Sequence, residues 1–155
     1  MVTVRPMKRA EFTYVMSQPH THYAEGMARA EALSAEEAQR IADAQIAAIL
    51  TDGFDTEGHH FYSVDADGDF AGFAWFQIKE EKGAKMALGY NIHIRPEFRR
   101  RGLAKCIFEY LTPRLKEMGV KYIAFHVYAD NHHAIALYEQ FDFRMTNVIM
   151  RRELT

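Results

Sequence analysis

Ile92-His93-Ile94-Arg95-Pro96-Glu97-Phe98-Arg99-Arg100-Arg101-Gly102-Leu103-Ala104 is the stretch around which the rest of the chain can be ordered. It joins two different periodicities. Met86 to Ile94 reads as a buried strand, and Pro96, lacking an N–H, stops it from pairing further. From Gly102 to Met118, apolar residues recur at Leu103, Ile107, Leu111, Leu115 and Met118, the three-or-four spacing of a helix. Between the two lies a basic turn with a glycine. The first turn of a helix has unpaired N–H groups and the positive end of the helix dipole. A phosphate is the natural occupant of such a place. Gly102 and the small Ala104 let a ligand come close to the backbone, and Arg99, Arg100 and Arg101 can add charge-assisted bonds. A solvated basic helix start, or a nucleic-acid patch, would have the same local composition.

Working outward, Pro113 should bend this helix and Gly119 should end it. Lys121 to Tyr128 reads as the next strand, with Ile123, Phe125 and Val127 alternating. A strand-helix-strand crossover makes its two strands parallel. Upstream, His60–Val64 and Phe70–Ile78 are aromatic strands around a hairpin at Asp65-Ala66-Asp67-Gly68-Asp69, and Lys82-Gly83 turns into Met86–Ile94. The three alternating aspartates do not make an EF-hand, because glycine stands fourth rather than sixth and Phe76 stands where glutamate is needed. Val2–Arg5 is a first strand, followed by helices over Lys8–Ala30, interrupted near Pro19, and Ser34–Leu50. Ser34 and Glu37 have capping-box spacing. Asn131–Gln140 is a short helix and Phe143–Arg151 a last strand. The order β-α-α-β-β-β-α-β-α-β predicts an α/β chain with a mixed sheet and helices on both faces.

The totals agree. A length of 155 residues fits a single domain over 1–155, and 48% hydrophobic residues suffice for a core. A net charge of −2 with 26% charged residues excludes a disordered polyelectrolyte. No apolar run approaches a membrane span. Cys106 is the lone cysteine, so no disulfide framework forms and a reducing cytoplasm is the expected home. The charge is unevenly placed. His22–Glu57 holds eight acids against two arginines, whereas Arg95–Lys116 holds seven bases against two acids. One end suits a cation and the other a polyanion.

Two motifs carry a family resemblance. Arg99-x-x-Gly102-x-Ala104 is similar to the Q/R-x-x-G-x-G/A signature of the GNAT N-acetyltransferase superfamily. Asn131, Ala134, Leu137-Tyr138-Glu139 and Phe143 follow in that family's order, with Asp142 in place of its usual glycine. Aspartate tolerates left-handed backbone, so the turn should survive. The resemblance spans Ala71–Leu154 and, more weakly, Val2–Glu11; about His20–His59 matches only in being helical.

The resemblance implies a three-layer fold whose fourth and fifth strands splay apart to admit acetyl-CoA. It implies that the main chain at Ile92, His93 and Ile94 meets the pantetheine arm. The amides of Arg99, Arg100, Arg101, Gly102, Leu103 and Ala104 would cradle the pyrophosphate, with Asn131 and Tyr138 also touching the cofactor. Acetyl would pass directly to a primary amine of a small molecule or peptide, with Tyr138 as general acid toward the leaving thiolate. An alkyl amine near pKa 10.4 is only about one part in a thousand neutral at pH 7, so a base or selective binding is required. His93, His126 and Glu25 are the candidate bases, and a water chain would also serve. The acids of the first half would favour a cationic acceptor. The alternative function is a regulatory module that binds acetyl-CoA or CoA without catalysis. Nucleic acid and membrane are not expected partners. A homodimer could form through an exposed strand edge or the final strand. His20-x-His22, His59-His60 and His132-His133 do not form a local metal site, and Cys106 is expected to pack in the helix rather than react.

Overall fold

The computed structural model describes residues 1–18 and 21–155, with only the backbone of Thr21 and His22. The elements run β1 (Val2–Pro6), α1 (Arg9–Ser17), α2 (Thr21–Glu31), α3 (Ala35–Ile49), β2 (His59–Ala66), β3 (Asp69–Glu81), β4 (Ala84–Ile94), α4 (Leu103–Glu117), β5 (Tyr122–Phe125) and α5 (His132–Glu139). The sheet is mixed, in the order β1-β2-β3-β4-β5. Its first four strands are antiparallel neighbours, and β4 and β5 run parallel. The α/β class and the parallel crossover are as expected from the sequence.

Local chemistry explains most boundaries. The hairpins turn at Asp67-Gly68 and Lys82-Gly83, both dipeptides with positive φ, as tight hairpins demand. Ser34 caps α3 by accepting from the Glu37 amide at 3.1 Å. The α4 helix runs through Pro113 to Glu117, and Gly119, at φ 82°, ends it. Asp142 stands at φ 66°, the left-handed turn its side chain tolerates.

Two cores hold the layers. Val64, Ala71, Ala74, Phe76 and Ala87 pack against Leu103, Ile107, Leu111 and Leu115 of α4. On the opposite face, Phe61, Phe73 and Trp75 pack against α1 and α3 through Phe12, Met16, Ile46 and Ile49. The Arg5 guanidinium pins α1 to the sheet. It donates to both oxygens of Glu11 at 2.9 and 2.7 Å and to both oxygens of Asp65 at 2.7 and 3.1 Å. The buried Ser63 hydroxyl also donates to Glu11. These bonds, the Arg5 ones above all, hold the Glu11 carboxyl down at about 2.

The first helical stretch is divided near Pro19 as expected, into α1 and α2, and Pro19 and His20 themselves lie outside the described residues. Two expectations are corrected. The strand expected over Lys121–Tyr128 stops at Phe125, because its ladder with β4 ends at the pair Gly89↔Phe125. Phe143–Arg151 forms no strand. Its β propensity has no partner ladder to join, since β5 offers four residues. Instead Arg151 donates to the carbonyls of Ala30 and Glu31, leaving Val148, Ile149 and Met150 exposed.

Candidate active site

The site begins where β4 and β5 part. Their ladder closes at Gly89, over which the Phe125 ring lies; any side chain at 89 would overlap that ring. A bulge at the same level gives β4 one extra residue, Tyr90, between the partners of Trp75 and Phe76. Beyond it, Asn91–Ile94 remain paired to β3 but have no β5 partner. Arg95 donates its amide to Ala71 of β3 at 2.8 Å, so by alternation the polar groups of Ile92 and Ile94 face the open edge. The Ile94 carbonyl there accepts from Arg99 Nε at 2.9 Å, which leaves Ile92 as the free backbone rung.

The strand leads into the anion turn. Arg100 and Gly102 both take left-handed backbone, at φ 61° and 77°, and Gly102 is the N-cap of α4. Nothing lies within 4 Å of where a Gly102 Cβ would stand, so the ground before the helix is open. Among the described residues no hydrogen bond takes the amides of Arg100, Arg101, Gly102, Leu103 or Ala104. Of these residues Arg100, Gly102, Leu103 and Ala104 line the open cleft, and unpaired donors at a helix N-terminus fit a phosphate. Two details differ from the sequence reading. The Arg99 amide is already bonded to the Pro96 carbonyl at 3.3 Å. Arg101 does not line the cleft, because Asp67 in the β2–β3 turn holds its guanidinium at 2.6 Å.

Tyr138 on α5 lines the same cleft. Its ring stacks on Phe125, with centroids 4.4 Å apart and planes 10° from parallel, and Phe143 lies 5.6 Å away. Burial pushes its hydroxyl up to about 12, so it keeps its proton at neutral pH. Asn131 caps α5 by accepting from the Ala134 amide at 3.2 Å. His93 lines the cleft beside Phe73, with ring centroids 5.8 Å apart, and His126 lines it exposed, edge-on to Tyr128. Glu25 is exposed on α2 and does not line the cleft. Among the described residues no three His, Cys, Asp or Glu side chains are grouped to hold a metal. The pair His20-x-His22 lies outside the described side chains.

A splayed parallel strand pair, a basic amide-lined helix start and a half-buried tyrosine beside the opening can be compared with known proteins. The family model described as Acetyltransferase (GNAT) family matches residues 21–143.

The chain belongs to the GNAT acetyltransferase family.

It is accordingly an acetyl-CoA-dependent acyltransferase. It is 29% identical over 154 residues to an uncharacterized N-acetyltransferase, YycN, of Bacillus subtilis, covering 99% of each chain. The crystal structure of that protein superposes with a TM-score of 0.88 over 100% of this chain and 99% of the other. It is 33% identical over 97 residues to the bS18-alanine N-acetyltransferase of Salmonella typhimurium, covering 61% of this chain and 63% of that one. An aminoglycoside acetyltransferase solved with a CoA bisubstrate analogue shares the fold, with a TM-score of 0.65 at 18% identity over 100% and 99% of the two chains.

The GNAT reading missed two features of the site. One is Gly89, whose place under Phe125 becomes visible only when β4 and β5 are paired. The other is the wall of the cleft on the α1–α3 side, made by Tyr14, Tyr23, Phe73, Trp75, Tyr90 and Tyr128. Phe73 and Trp75 are two apart on β3 and so share a face, a signal the sequence does carry. The others come from four separate segments, and no local spacing connects them.

Proposed function

We propose that this chain transfers the acetyl group of acetyl-CoA directly to a primary amine, acting as a single domain over residues 1–155. The observation that carries this is the opening of β4 from β5 at Gly89↔Phe125, with Ile92, Arg100, Gly102, Leu103, Ala104 and Tyr138 around one cleft. Acetyl-CoA, when bound, supplies an activated thioester. The turn amides hold its pyrophosphate and Ile92 pairs with its arm. The amine attacks the thioester carbonyl, and the departing sulfur takes the proton of Tyr138, which burial keeps protonated. His93, on the α1–α3 face of β4, relieves the incoming amine of its proton directly or through water. Relatives named for N-acetylation, one of them for an alanine of ribosomal protein bS18, support an amine acceptor.

The test is CoA release from acetyl-CoA by purified protein across a panel of amines, after a thermal-shift check of cofactor binding. Amine-dependent release is the expected result. Binding without release from any amine would favour the non-catalytic acetyl-CoA module.

A further inference from the structure

The acids of the first half do not line the cleft. Glu25 faces solvent, and Asp55 is paired with Arg9 at 2.9 Å. Among the described residues the carboxylates that line the cleft are Glu109 on α4 and Asp142 beyond α5, both on the cofactor side. An acceptor entering from the α1–α3 side meets aromatic rings instead. Trp75 and Phe73 form a buried floor, at 3% and 7% exposure. Tyr90 stacks on Trp75 at 4.6 Å. Tyr23 and Tyr128 lie 6.0 Å apart, and Tyr128 is pressed so closely on α2 that a Cβ at Gly26 would come within 2.7 Å of its ring. Two of the hydroxyls are turned to protein partners. Tyr90 donates to Gln77 at 2.8 Å and Tyr23 to Gln45 at 2.9 Å. The rest of this side is ring and aliphatic surface with the amides of Gln18, Gln45 and Asn91 and, among the described residues, no carboxylate.

Such a wall treats amines unequally. A flat apolar body gains by stacking on it. A single ammonium is tolerated over ring faces until it is deprotonated for attack. A second ammonium or a polyhydroxylated ring would lose water and find no carboxylate. Resting on the acetyl-transfer reading, we propose that the acceptor is a small monoamine on a flat, uncharged apolar body, an aryl-alkyl amine, and that Tyr90 and Tyr23 select it over polyamines and amino-sugars.

The experiment compares phenethylamine, butylamine and spermidine on the full chain, by kcat/KM for CoA release and by direct titration followed through Trp75, the only tryptophan of the sequence. Phenethylamine should exceed both others by at least about tenfold in kcat/KM, the worth of burying a ring. Tyr90→Ala and Tyr23→Ala should each collapse that ratio toward one; the second is the safer variant, because Tyr23 is 40% exposed. Spermidine or butylamine equalling phenethylamine would overturn the proposal. If no amine releases CoA, the transfer reading fails, and the titration decides the selectivity alone. Phenethylamine binding at least about tenfold more tightly than spermidine would sustain it, and equal or weaker binding would sink it.

Discussion

The two ends of the cleft are made of different material. The end proposed to take the cofactor is mostly backbone: the open edge of Ile92, the unpaired amides at the start of α4 and the left-handed Gly102. The end proposed to take the acceptor is mostly side chains, brought from α1, α2, β3, β4 and the segment after β5. A backbone site depends on conformation, which a few neighbouring residues impose. A side-chain site depends on how several elements are docked, and each contributes one or two rings. One end can therefore be common to a large family while the other varies from member to member.

The largest effect tests the point where the ends meet. Tyr138→Phe should lower kcat by about a hundredfold while leaving acetyl-CoA affinity within about twofold, since it removes a proton and little packing. Steady-state kinetics together with cofactor titration checks this; unchanged turnover with a good substrate would remove Tyr138 from the chemistry.

Next comes the hinge of the opening. Gly89→Ala should cost about 1–3 kcal/mol, because the Phe125 ring is penned in by Phe76, Phe108, Tyr138 and Phe143 and cannot swing clear. Calorimetry should show a melting temperature lower by several degrees, roughly 2–4 °C per kcal/mol at this length.

Acid should sharpen the contrast between the ends. Glu11, which ties α1 to the sheet, sits at about 2 in the folded chain against an ordinary 4.5. Its stabilising contribution is therefore present above about pH 4.5 and fades as pH falls toward 2. Hydrogen exchange at pH 3 should show α1 opening before α4, and Glu11→Gln should flatten the dependence of melting temperature on pH over this range. Equal exchange in α1 and α4 would mean that this network does not govern the acceptor half.

The smallest effect concerns Arg101. Its bond to Asp67 is exposed and directed away from the cleft, so Arg101→Ala should change the KM for acetyl-CoA by no more than about twofold. A tenfold rise would show that Arg101 leaves Asp67 for the phosphates.

Much of the fold was legible because its signals are local. The hairpin dipeptides, the Ser34 cap, the helical stripe of α4 and the left-handed positions at Gly102 and Asp142 are each written within a few residues. Phe143–Arg151 shows the limit. It has the composition of a strand, but strand formation requires a partner edge, and composition supplies none. The same limit separated Arg101 from its neighbours in the basic turn, because Asp67 lies 34 residues earlier and only the β2–β3 hairpin brings it near.

By itself, then, the sequence determined most of the elements, the parallel crossover and the basic glycine turn that opens α4, all consequences of short-range periodicity, proline and glycine stereochemistry and helix-end polarity. Tertiary structure alone decided where β4 and β5 separate, which arginine is withheld from the cleft, and that rings rather than carboxylates line the acceptor end. Those outcomes depend on which distant side chains compete for the same space, such as Phe125 over Gly89 and Asp67 for Arg101, and that competition is settled only when the elements pack.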